Sequence, residues 1–155
     1  MKKRTILFSL VAMFVFAAVC FAADDANMGT WKLDEAKSKQ TAGIPKNTSV
    51  VYEAAGDSVK VIVDGVGADG KATHNEWTGK FDGKDYPVTG DLTADSRSYK
   101  KVDDRTLTLT NKKDGKVTLT GTVKVSADGK TRTVTIAGKD ADGKKITGTA
   151  VYNKQ

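Results

Sequence analysis

The stretch Thr106–Gly138, TLTLTNKKDGKVTLTGTVKVSADGKTRTVTIAG, alternates apolar and polar residues on either side of two Asp-Gly pairs. Leu107 and Leu109 are interleaved with Thr106, Thr108 and Thr110; Val117, Leu119, Val123 and Val125 with Thr118, Thr120, Thr122 and Lys124; Val134 and Ile136 with Thr133 and Thr135. Successive side chains of a strand point to opposite faces, so each segment reads as a strand with one dry face and one wet face. Asp-Gly at the centre of a two-residue loop supplies the positive φ angles whose twist matches the flanking strands, so Asp114-Gly115 and Asp128-Gly129 read as hairpin turns.

The same punctuation recurs at Asp69-Gly70, Asp82-Gly83 and Asp142-Gly143, each followed by lysine, and in looser form at Ala55-Gly56-Asp57, Gly90-Asp91 and Asp103-Asp104. Strands are therefore expected near 28–33, 48–54, 58–66, 72–81, 85–89, 96–102, 105–111, 116–126, 131–138 and 145–153. One stretch breaks the pattern, DEAKSKQTAGIPKN at 34–47, where Asp34 can cap a turn or two of helix before Gly43 and Pro45 end it. The predicted fold is all-β: an up-and-down antiparallel β-barrel of about ten strands with a short helical insert after the first. A meander of this length is expected to close, because closure removes the unpaired edge that invites aggregation.

The N-terminus carries a different signal. Lys2, Lys3 and Arg4 precede an apolar run from Ile6 to Val19, interrupted by Ser9 and shorter than the roughly 20 residues a spanning helix needs. The pattern predicts a signal peptide over 1–22, cleaved after Ala22, and a single domain over 23–155 that is periplasmic or secreted, with no transmembrane segment. Cys20 as a lipidated anchor is the alternative, and Val19 before it departs from the small residue expected there. Loss of the leader lowers the formal charge from +6 to +3, and because Cys20 is the only cysteine it leaves no thiol for a disulfide, a metal or a nucleophile.

The remaining basic residues are lysines scattered beside aspartates, unlike the clustered charge of a nucleic-acid footprint, so no nucleic-acid partner is expected. An outer-membrane barrel would turn its apolar face to lipid and add aromatic girdles, neither of which fits a threonine- and lysine-rich outer face. Eleven threonines fall on that face in the last four strands, as suits a polar residue with high strand propensity. One histidine cannot build a zinc site, and Asp140-Ala141-Asp142-Gly143 lacks the later ligands of a calcium loop. No nucleophile has a recognisable base beside it, so no catalytic residue, metal site or cofactor is expected.

Gly29-Thr30-Trp31-Lys32-Leu33, followed by a meander and a final Val151-Tyr152, resembles the calycin superfamily, that is lipocalins and fatty-acid-binding proteins, and especially small secreted bacterial lipocalin-like proteins. Tyr86-Pro87-Val88-Thr89-Gly90 and the Asp-Gly-Lys turns share that character. The resemblance implies that Trp31 plugs one end of the barrel beneath a basic side chain of the last strand, for which Lys145 and Lys154 are the available residues. It also implies a carboxylate-gripping Arg-x-Tyr pair, whose matching positions here hold Ala150 and Tyr152.

ATHNEWTGKFDGKDYPVTG, 72–90, is the densest aromatic and polar stretch. Alternation places Trp77 and Phe81 on one face and His74, Glu76, Thr78 and Lys80 on the other; burying the aromatic face leaves the histidine face in water. A barrel of about eight strands is only just filled by side chains, so ten leave room for a ligand pocket. The expected function is non-catalytic binding or transport of a small hydrophobic or amphipathic ligand in the cell envelope. In that reading Trp31 closes the base, Tyr52, Trp77, Phe81 and Tyr99 form the wall, and Tyr152 hydrogen-bonds the ligand. The competing expectation is a solidly packed, ligand-free module that meets a protein or glycan through its outer face.

Overall fold

The computed structural model describes residues 25–140 and 142–155. The leader expected over 1–22 and the alternative anchor at Cys20 lie outside them. The described chain is a closed antiparallel barrel of ten strands: β1 (Gly29–Gln40), β2 (Lys46–Ala55), β3 (Ser58–Val66), β4 (Ala72–Gly79), β5 (Tyr86–Thr89), β6 (Ser96–Asp103), β7 (Thr106–Lys113), β8 (Lys116–Val125), β9 (Thr131–Lys139) and β10 (Lys145–Lys154). Each strand pairs with its chain neighbours, and β1 pairs with β10 to close the ring. No helix among the described residues is long and apolar enough to cross a membrane.

The expected helical insert is not there. Residues 34–40 continue β1, and the turn to β2 occupies only 41–45. Asp34 does accept the Lys37 amide, at 3.3 Å, as a helix cap would, but the segment is a wide bulge: Asp34 lies opposite Val151, and Lys39 opposite Thr149. Ser38 anchors the bulge by accepting the Val151 amide at 2.9 Å while its hydroxyl donates to the Asp34 carbonyl at 2.7 Å. The local helix-forming run Glu35–Lys39 yields because β10 would otherwise expose an unpaired row of backbone groups.

The turns also depart from expectation in detail. Asp114 (φ 49°) and Gly115 (φ 72°) alone place both Asp and Gly in the left-handed region. At Asp69, Asp82 and Asp128 only the following glycine has positive φ, and the aspartate carboxylate accepts the amide of the lysine two residues on, at 3.0–3.1 Å. These are turns built around an aspartate side chain, with glycine taking the left-handed position. At the last hairpin Asp140 does this work, accepting the amides of Asp142 and Lys144 at 3.0 and 2.9 Å.

The alternation sorts most residues as expected: Leu107, Leu109, Val123 and Val125 are buried inside, while Thr108, Thr120, Thr122 and Thr135 are exposed; Val117, expected on the dry face, is 57 % exposed, because it lies at the end of β8 beside the Asp114-Gly115 turn. Inside, the two ends differ. Residues 25–28 and the turns at 55–57, 80–85, 103–105 and 126–130 lie at one end, where Trp31 is fully buried and its indole N–H donates to the Asn27 carbonyl at 2.8 Å. Trp77, Phe81, Tyr86, Tyr99 and Tyr52 form a continuous aromatic cluster nearby. Trp77 stacks on Phe81 (6.4 Å, 9°) and meets Tyr99 edge-on at 4.9 Å, both favoured arrangements of ring quadrupoles. The opposite end, ringed by 41–45, 67–71 and 90–95, is open.

Candidate functional site

A cavity of about 670 Å³ occupies the open half of the barrel. Its mouth is formed by Gly43, Ile44 and Pro45, by Gly67–Asp69 and by Gly90–Thr93, with Leu92 of the last loop 90 % exposed. Val50, Val63, Leu109, Leu119, Val123, Val134, Ile136 and Ala150 supply apolar wall, and Tyr52, Tyr99 and Tyr152 stand at its depth. The strand pattern explains the lining: each of these residues is in phase with the buried face of its strand.

Of the six residues expected at the site, the structure brings Tyr52, Tyr99 and Tyr152 together around the cavity. Trp31, Trp77 and Phe81 do not line it. Trp31 lies beneath as the floor, and Trp77 and Phe81 pack in the aromatic cluster that braces Tyr52 and Tyr99. His74 and Glu76 project outward as alternation requires. The His74 side chain is 57 % exposed, with Nδ1 2.7 Å from Asp64 and Nε2 3.4 Å from Glu76. The hydrogen bond to Asp64 holds the imidazole pKa above its ordinary value.

Two buried arginines are the residues that sequence reasoning missed. Arg97, on β6, is a satisfied hub: Nε donates to Asn111 Oδ1 at 2.8 Å, Nη1 to Asn75 Oδ1 at 3.3 Å, and Nη2 to Asp91 Oδ2 at 2.9 Å. It ties β4, β6 and β7 to the 90–95 loop across the short strand β5.

Arg132, on β9, is only 2 % exposed and lines the cavity. Its Nε and Nη1 have no hydrogen-bond partner among the described residues, and it forms no ion pair with them. Three aromatic faces surround it instead, with the guanidinium carbon 5.1 Å from the Trp31 ring, 5.1 Å from Tyr52 and 4.8 Å from Tyr152, its direct cross-strand partner. Burying an ion costs on the order of several kcal/mol, and each ring face returns roughly 0.5–2 kcal/mol of cation–π attraction. The cage therefore offsets a good part of the burial.

Lys154 also lies over the Trp31 ring, at 5.2 Å, so the expected last-strand cation is present and Arg132 adds a second from the neighbouring strand. The signal that could have found both arginines is phase: Arg132 falls in register with Val134 and Ile136, and Arg97 with Tyr99. Burial pushes the Tyr52 phenol up, reinforced by Tyr99, and raises Tyr152 to about 12, against the opposing pull of Arg132 in both cases. At neutral pH these hydroxyls keep their protons and can donate hydrogen bonds into the cavity.

No family model and no curated protein matches this sequence. Solved structures similar to the chain include EF1p2_mFAP2b bound to DFHBI, at 11 % identity over 84 % of this chain and 94 % of that one with a TM-score of 0.47. They also include a redesigned β-barrel, mFAP1, bound to DFHBI, at 17 % identity over 83 % of this chain and 98 % of that one with a TM-score of 0.44. At such identities and scores, DFHBI is a fact about those two proteins.

Proposed function

We propose that this chain is a non-catalytic carrier that holds a small hydrophobic or amphipathic molecule inside a calycin-type barrel, and that the leader over residues 1–22 directs it to the periplasm or beyond the cell. The observation that carries the binding reading is the cavity of about 670 Å³ at one end of a closed barrel, walled by valine, leucine and isoleucine and floored by aromatic rings. Pockets of this size, largely apolar with a few placed polar groups, suit small organic ligands. Export is supported by the basic start, the apolar run and the small residues before Ala23.

A barrel packed solid, meeting its partner only through the threonine-rich outer face, would have no need of such a space. Titration with the neutral dye N-phenyl-1-naphthylamine tests the carrier reading. The expected result is saturable binding of one dye per chain with enhanced emission, and displacement by an apolar competitor. No saturable binding would overturn it.

A further inference from the structure

We infer that the cavity takes a neutral, carbonyl-bearing molecule whose oxygen is bound on one wall by the side-chain amides of Asn75 and Asn111. The inference rests on the carrier reading and adds the polarity of the ligand and the wall it faces. Asn75 on β4 and Asn111 on β7 both line the cavity and are 9 % and 7 % exposed. Arg97 on β6 bonds to both: Nη1 donates to Asn75 Oδ1 at 3.3 Å and Nε to Asn111 Oδ1 at 2.8 Å. A guanidinium carries donors and no acceptor, so each carboxamide has to turn its oxygen toward Arg97. Each NH2 group is then left over. Neither Nδ2 has a hydrogen-bond partner among the described residues, and both belong to side chains of the cavity wall.

This wall therefore offers paired donors, and a ligand acceptor recovers the cost of leaving them without partners. Charge balance makes that acceptor a neutral one. Arg97 already faces Asp91, with Nη2 2.9 Å from Oδ2, so the wall has no cation to spare for an anion. The nearby acceptors are engaged as well: Asp91 Oδ1 takes the amide and hydroxyl of Thr93 at 2.8 and 2.7 Å, and Asp69 at the mouth takes the Lys71 amide at 3.1 Å. A ligand carbonyl thus finds better partners here than a ligand N–H or O–H. Val134, Ile136 and Ala150, on β9 and β10, supply apolar wall for the remainder of the molecule. Arg97 is a positioning residue in this arrangement, because holding the two oxygens is what aims the two donors.

The test is displacement of N-phenyl-1-naphthylamine by two probes of one shape, 2-acetylnaphthalene and 2-isopropenylnaphthalene, in the second of which a CH2 group replaces the carbonyl oxygen. The ketone is expected to bind about tenfold more tightly than the alkene. Asn75→Asp and Asn111→Asp each keep an oxygen for Arg97 and remove the NH2 group, so each should shrink that preference. Should both variants fail to fold, the native protein decides alone: with the chain ¹⁵N-labelled, the side-chain amide signals of Asn75 and Asn111 are expected to move further with the ketone than with the alkene. Equal affinity for the two probes, a preference that survives both substitutions, or equal movement of the amide signals would overturn the carbonyl site and leave the carrier standing. If the dye and both probes all fail to bind, the carrier reading falls and the carbonyl site with it.

Discussion

Gly79 has no room for even one methyl group. A Cβ there would lie 2.6 Å from two ring atoms of Tyr86 and 2.7 Å from the Trp77 indole, because Tyr86 crosses the strand where a side chain would stand. Gly79→Ala is therefore expected to destabilise the fold by about 1–3 kcal/mol through overpacking, read as a lower midpoint in urea. Ala substitution at Gly70, where no atom lies within 4 Å of the added carbon, should owe any cost to its positive φ of 79° alone. At this scale the sequence was partly legible. Tyr52, Tyr99 and Tyr152 could be assigned to the interior by phase, but which ring meets which cation could not, since the Arg132 cage draws Trp31, Tyr52 and Tyr152 from three different strands.

Strand β5 is the smallest element of the barrel, with two registered pairs to β4 and two to β6. The ladder around it is completed from the loops: the Val88 amide donates to the Asp95 carbonyl at 3.0 Å, and the Asp95 amide to the Lys112 carbonyl at 2.9 Å. The Arg97 hub reinforces this seam from inside, so Asp91→Ala should leave a guanidinium buried without its counter-charge. The expected loss is about 3 kcal/mol, with amide exchange at Val88 and through 90–95 accelerating more than in β7 or β8. The ten strands were readable because alternation and Asp-Gly turns are local signals. The 34–40 bulge was not, because its helix-favouring residues are overruled by pairing with a strand more than a hundred positions away.

Closure joins the last strand to the first, so the barrel is expected to unfold as one cooperative unit. Trp31 sits beside the β1–β10 seam and Trp77 on β4, both buried and both donating their indole N–H to backbone carbonyls at 2.8 Å. Tryptophan emission and far-ultraviolet circular dichroism are expected to report one coincident urea transition, with the emission shifting to the red; separated transitions would show that part of the ring opens first. The sequence by itself determined the period of the strands, the places where the chain reverses and the split between dry and wet faces. Those properties depend on residues close along the chain. Only the tertiary structure decided that ring closure would absorb residues 34–40 into β1, that two arginines would lie inside, and that one of them would face a cavity without a counter-ion. Those outcomes depend on which distant strands come into register when the last strand meets the first.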